Sequence, residues 1–174
     1  MSDESPWRLS WRADPVVRAL ADRHYNRQKV GAAQFVPPGR CLVMLTADKS
    51  ALWVTSWPYP QYVRHAWAGA WVCSLFRNEG THLSSDLIRA AVAHTRAHWP
   101  DAPELGMVTF VDERHVRPKA HPGYCYLRAG WQHTGRTAAG LHVLQQLPAQ
   151  MPPAADLPGA AVPLFPLPAA GAAA

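Results

Sequence analysis

Cysteine is scarce in this chain. Cys41, Cys73 and Cys125 stand far apart, odd in number and without a Cys-x-x-Cys pair. That spacing speaks against a disulfide framework or a structural zinc site, and for reduced thiols in a reducing compartment. Long apolar runs are missing too: none approaches the ~18 residues of a membrane span. The opening MSDESPWRLSW is acidic and polar and lacks the apolar segment of a secretory signal. Neither Gly-x-Gly-x-x-Gly nor Gly-x-x-x-x-Gly-Lys-Ser/Thr occurs, which disfavours a dinucleotide fold and nucleotide hydrolysis. Acidic residues are few: 12 Asp and Glu face 17 Lys and Arg, for a net charge of +5. Such a balance permits a polyanionic partner.

What the chain does have is apolar bulk, 48% of 174 residues, with only 17% charged, the mark of a globular domain. Eight tryptophans are many for this size, and some are expected to line a groove. Residues 1–147 read as one domain. Residues 148–174 are rich in Pro and Ala with Asp156 as their one charge, and read as an extended tail in which Leu164-Phe165 could dock. Within the domain, residues 14–25 predict a helix with Asp14 at its N-cap and Val17, Leu20 and Ala21 on one face. CLVMLTAD (41–48) and ALWVTSW (51–57) predict a hairpin, and WVCSLFRN (71–78) a central strand. Residues 84–99 predict the best helix, with a Ser N-cap and Leu87, Ile88, Ala91, Thr95 and Trp99 on its buried face. GMVTFVD (106–112) predicts another strand, Gly123 to Ala129 a short helix ended by Gly130, and the segments after it a closing hairpin. Mixed strands with such helices imply a layered α/β or α+β sheet protein.

Several stretches carry possible chemistry. RNEGTHLSS (77–85) joins a strand to a helix N-terminus, a junction that suits phosphate or pyrophosphate; Phe76, Arg77, Asn78, Gly80, Ser84 and Ser85 are its candidate binding residues, and an ordinary capped helix is the plainer reading. His94 and His98 have metal-ligand spacing but lack the Glu of His-Glu-x-x-His, and read as boundary histidines. In RHYNRQKVG, His24 and Tyr25 sit among Arg27 and Lys29, an aromatic between cations as a base-stacking surface requires. Arg114, Arg117 and Lys119 form a second cationic loop. Asp112 ends an apolar strand, where α/β proteins place chemistry, although a turn cap explains it equally. In HPGYCYLRAGW, Tyr124 and Tyr126 lie about 200° apart on a helix, so one is expected to pack while the other faces a cleft. Cys125 has no activating base and reads as a small core residue.

In this order the pieces resemble a GNAT-type acyltransferase. Tyr126-Leu127-Arg128-Ala129-Gly130-Trp131 matches that family's Tyr-x-x-x-Gly-aromatic motif, and Arg77 to His82 resembles its phosphate turn, with His82 where a second small residue belongs. The resemblance implies a GNAT-like, mixed and mostly antiparallel sheet flanked by helices, acetyl-CoA or a related acyl-CoA as donor, and Tyr126 as general acid toward the coenzyme A thiolate. More narrowly, His24-Tyr25, TFVD (109–112) and KAHPGYCYLRAGWQHTGRT (119–137) are similar to the Mom-like branch of phage DNA-modification proteins. That similarity implies transfer to a base in DNA, adenine by analogy, inside the bacterial host cytoplasm. It carries His24, Tyr25, Asp112 and Tyr124 to the reacting centre and makes iron a further expected cofactor, with no ligand set evident.

The expected function is therefore an acyl-CoA-dependent transferase acting on a DNA base, with aromatic platforms among Tyr25, Trp57, Tyr59 and Trp67. The donor is expected in a cleft between the Phe76 strand and the Leu87 helix, beside Tyr126. Two alternatives stand beside it. One is an N-acetyltransferase for a small-molecule or peptide amine; the other is a non-catalytic DNA-binding module on the same scaffold.

Overall fold

Apolar residues fill 41–45 and 51–54, and the pleat sorts them between two faces. Leu42, Met44, Ala51 and Trp53 join one buried cluster, while Val43, Leu45, Leu52 and Val54 join another. A strand buried on both sides needs cover on both sides. The computed structural model, which describes residues 4–27, 29–116 and 121–159, supplies it with a helix on each face.

Among these residues seven strands form one sheet: β1 (Trp7–Ser10), β2 (Gly39–Thr46), β3 (Ala51–Pro58), β4 (Trp71–Asn78), β5 (Met107–Val111), β6 (Gln132–Arg136) and β7 (His142–Gln146). Their order is β1-β2-β3-β4-β5-β7-β6. Every neighbouring pair is antiparallel except β4 and β5, which run parallel. A parallel pair needs a crossover, provided here by α2 (Ser84–His98). Leu87, Ile88 and Ala91 of α2 seal one face, together with Trp7, Trp53 and Trp71. The other face is closed by Val17, Leu20 and Ala21 of α1 (Pro15–Asp22), whose first turn is capped by Asp14 accepting from Val16 N–H. The short α3 (Tyr124–Arg128) follows β5.

Two sequence expectations need correction, and one strand was not expected. The N-cap of α2 is Leu83, without a side-chain cap bond; Ser84 is already helical, and its hydroxyl accepts from Asn78 Nδ2 at 3.0 Å. β1 escaped notice, being four residues of plain alternation, yet Trp7 is fully buried and its indole donates to Leu87 O at 2.9 Å. The Pro/Ala-rich segment is not free from residue 148 onward. Met151 and Leu157 lie in the main core, and His94 Nδ1 meets Ala155 O at 2.6 Å while its Nε2 meets Ser5 Oγ at 2.7 Å. His94 is thus a satisfied histidine that ties the segments at Ser5 and Ala155 to α2. Leu164 and Phe165 lie outside the described residues.

Of the tryptophans, Trp7, Trp53, Trp71, Trp99 and Trp131 are buried; Trp67 lines a cavity. Cys41, Cys73 and Cys125 are free thiols. No described helix is long and apolar enough to cross a membrane.

Because Met151 is 7% exposed and belongs to the main core, Met151→Ala should lower stability by about 2–5 kcal/mol. Urea unfolding would register this as an earlier midpoint at unchanged slope. A midpoint equal to the parent's would mean that this segment contributes nothing to the core.

Candidate active site

β4 and β5 keep register for only two residue pairs, Trp71 with Met107 and Val72 with Val108. Beyond them the pairing stops. One cause is visible on the far side of β4: its register with β3 slips between Val54 and Thr55, which leaves Ser74 as an extra residue. A bulge bends its strand and ends pairing. Between the separated strands opens a cavity of about 270 Å³, lined by residues 73–76 of β4 and 109–111 of β5.

Three other segments converge on the same space. The turn after α1 brings His24, Tyr25 and Asn26; the loop before α3 brings His121 and Gly123; α3 brings Tyr124, Cys125 and Tyr126. Glycine is favoured at position 123. Its φ is 75°, and a Cβ there would lie 2.6 Å from Leu144 Cδ1. Asn26 holds the first turn over the gap by donating from Nδ2 to Ser74 O at 3.2 Å. Thr109 Oγ1 donates to Cys73 O at 3.1 Å, replacing the strand bond lost there. Ser74, Cys73, Asn26 and Thr109 were not singled out from the sequence; a serine inside the apolar run WVCSLF was the available signal.

The expected catalytic residues divide. Tyr126 is 7% exposed and its phenol lies 3.4 Å from Cys73 Sγ. Its ring packs edge-on to Phe76 and Trp131. Burial raises its pKa, so the phenol stays protonated. Tyr124 is 54% exposed. Both tyrosines line the cavity, one in its wall and one at its rim, because the space wraps the start of a helix only five residues long. Tyr25 stacks between His24 and His115, with ring centroids 4.5 and 5.1 Å away. Its hydroxyl oxygen accepts from Asp112 N–H at 3.4 Å.

His24 has a defined tautomer. Asn26 N–H donates to Nδ1 at 3.1 Å, so the ring proton of the neutral form sits on Nε2. Nε2 has no partner among the described residues, which makes His24 a hydrogen-bond donor instead of a base. Burial, and secondarily the charge of Arg77, pushes its pKa down to about 4.

Asp112 corrects the expectation. Its carboxylate is absent from the lining, grips Arg114 at 2.7 and 2.9 Å, meets His115 at 3.1 Å and caps the turn Glu113–His115. Arg114 holds its carboxyl well below the usual range. Cys73 lies in the wall, its thiol pushed up to about 12 by burial, so it is no nucleophile.

The phosphate turn is also more occupied than expected. Of its candidates only Phe76 lines the cavity. Arg77 bonds Glu79 and the Arg23 carbonyl, and Arg23 grips Glu79 with two bonds of 2.8 Å. These cations hold the Glu79 carboxyl down to about 2. Asn78 closes the turn on itself through His82 O and Gly80 N–H. Gly80 makes room for Ser50, whose Oγ would lie 2.2 Å from an added Cβ. The expected cleft between the Phe76 strand and the Leu87 helix is filled: Leu87 is 1% exposed and Phe76 packs on the same cluster. The opening lies one strand further, between β4 and β5.

Among the expected nucleic-acid contacts, Arg27 is spent inside the fold on Asp22 at 2.6 Å, Ala32 O and the Phe35 ring, with its side chain 3% exposed. Lys29 is exposed. Arg117 and Lys119 lie outside the described residues. Iron does not fit what is here: no group of three or more His, Cys, Asp or Glu among the described residues could hold a metal. Asp112 is committed to Arg114, and His24 Nδ1 to a backbone N–H.

No family model, curated protein or solved structure matches this chain.

His24 titrates in the folded chain well below its unfolded value of 6.5. As the pH falls, the unfolded chain takes the proton first. The contribution of this residue is therefore intact above pH 6.5 and is lost progressively down to about pH 4. Two-bond ¹H–¹⁵N NMR should find the Nε2–H neutral tautomer throughout neutral and mildly acidic pH. An Nδ1–H signal, or titration near the ordinary value, would contradict the donor role.

Proposed function

We propose that this protein transfers an acyl group from an acyl-CoA thioester to the exocyclic amine of a base in DNA. The observation that carries the reading is convergence: His24, Tyr25, Phe76, Tyr124 and Tyr126, from three separate segments, line one cavity at the carboxyl ends of two separating parallel strands. Open sheets bind ligands at such an edge. Strand edges without a ladder partner suit an extended, amide-bearing carrier such as the pantetheine arm of coenzyme A. The β4–α2 turn lies at the end of the same strand, and Leu83 provides α2 with no side-chain cap bond, which leaves amide donors for the carrier's phosphates.

The chemistry needs few protein groups. The amine nitrogen attacks the thioester carbonyl carbon; a C–N bond forms and the C–S bond breaks. Negative charge gathers first on the carbonyl oxygen, for which the His24 Nε2–H is a neutral donor; removing one donor of this kind costs about 10²–10³ in rate. Charge then moves to sulfur. Tyr126, protonated and desolvated, passes its proton to the departing thiolate and recovers one from the amine. The net result is an amide on the base, free coenzyme A thiol and an unchanged enzyme. General acid help of this sort contributes about 10²–10⁴.

A second reading, a non-catalytic nucleic-acid-binding module, draws on one observation: Glu79 neutralises Arg23 and Arg77 in the turn that would face the phosphates. Co-expression in a bacterium followed by nucleoside mass spectrometry separates the two. The transferase reading expects a new nucleoside mass with the parent chain, and its loss or strong reduction with Tyr126→Phe. An unchanged profile with the parent chain would leave the binding module or a different amine substrate.

A further inference from the structure

A second cavity, of about 600 Å³, abuts the first and shares Asn26, Cys73, Ser74 and Phe110 with it. Its volume is in the range of ligand sites, about 300–1,000 Å³. Phe35 and Val36 in its wall belong to the cluster packed on α1, which puts it on the α1 side of the sheet. Its composition is one-sided. Lys29, Arg64 and the exposed Tyr62 stand in its lining with His65 and Phe110, and among the described residues no carboxylate does. Lys29 and Arg64 are exposed and carry no ion pair among the described residues, unlike Arg27 in the same wall.

The cationic and aromatic character continues outward. A third cavity, of about 510 Å³, shares Arg64, His65 and Phe110 with the second and adds Trp67 and Arg136, whose guanidinium pairs with Glu113 at 3.3 Å; among the described residues no carboxylate lines it. His65 and Phe110 lie 4.8 Å apart, and Trp67 meets both rings at 6.2 Å. Exposed cations beside π-faces form the surface that a single strand requires: phosphates settle on the charges and bases on the rings. A base still paired in a duplex would not reach a cavity walled by β4, so the nucleotide must be unpaired or extruded.

We propose that the second cavity is the acceptor site: it takes one unpaired or flipped nucleotide of DNA, its phosphates held by Lys29 and Arg64 and its base directed past Phe110 toward Cys73 and Ser74. The inference rests on the transferase reading and adds to it the side from which the acceptor enters. Donor and acceptor then meet at the wall that the two cavities share.

Anisotropy of a short fluorescein-labelled single-stranded oligodeoxynucleotide, titrated at several salt concentrations, tests the site. The parent chain should bind with a steep salt dependence. In the Lys29→Ala/Arg64→Ala double variant the log–log slope should fall by ~1.4, since each single-strand phosphate contact contributes about 0.7. Tyr62→Ala should weaken binding roughly five- to hundredfold through lost stacking. All three side chains are exposed, so an unchanged melting temperature is expected of each variant.

The same variants, heated with and without acetyl-CoA, keep the two ideas apart. Weaker oligonucleotide binding with an intact acetyl-CoA shift supports the acceptor site and the donor site together. Weaker binding where acetyl-CoA shifts neither parent nor variant keeps the nucleotide site and removes the transferase reading. Parent-like affinity and slope in both variants, or no binding by the parent at low salt, overturns the acceptor site.

Discussion

The parting of two parallel strands after two residue pairs is the constraint on which the rest of this molecule depends. A central parallel pair would ordinarily zip along its length and bury its backbone groups in a ladder. Here the extra residue Ser74 turns β4 away, and the edges so released must find other partners. Thr109 Oγ1 satisfies one carbonyl and Asn26 Nδ2 another. These substitutions keep the gap open without leaving it raw, and one of them anchors the turn that carries His24 and Tyr25. Packing on either side of the gap resists its collapse: Tyr126 leans on Phe76 and Trp131, and Gly123 lets α3 approach Leu144.

Burial then sets the charges. His24 stays neutral with its proton on Nε2, Tyr126 stays protonated, and Cys73 stays a thiol. A cavity lined by neutral donors is suited to charge that develops on a bound ligand during reaction. Formal charge is kept outside, where Arg23 and Arg77 share Glu79, and where Asp112 fastens Arg114. Lys29 and Arg64, which carry no ion pair among the described residues, lie on the side where a second cavity meets the first.

Much of the sheet was legible because its central strands are buried on both faces, and apolar runs bounded by turn residues announce such strands. The α2 stripe and the Asp14 cap were equally plain, since helical spacing and capping are local. β1 was not legible, because four alternating residues give too little pattern. The site was only partly so. His24, Tyr25, Phe76, Tyr124 and Tyr126 could be named individually, but no local rule says that β4 and β5 separate, and a cleft was therefore expected between β4 and α2, where side chains fill the space. Asp112, Arg27 and Arg77, expected as site residues, have their charges engaged for a shared reason: each has an oppositely charged partner close in sequence, Arg114, Asp22 and Glu79. Local pairing consumed what looked like available charge. Met151 and Leu157 reach the core from a segment whose composition resembles a free tail, because two well-placed apolar side chains outweigh composition.

Amide hydrogen exchange with and without acetyl-CoA tests the central claim most directly, because the gap between β4 and β5 is defined by its backbone. If the carrier lies there, amides of Cys73 to Phe76 and Thr109 to Val111 exchange more slowly when the coenzyme is present, while those of β1 and β2 do not change. Exchange that is unchanged across both of those stretches at saturating coenzyme would contradict the account.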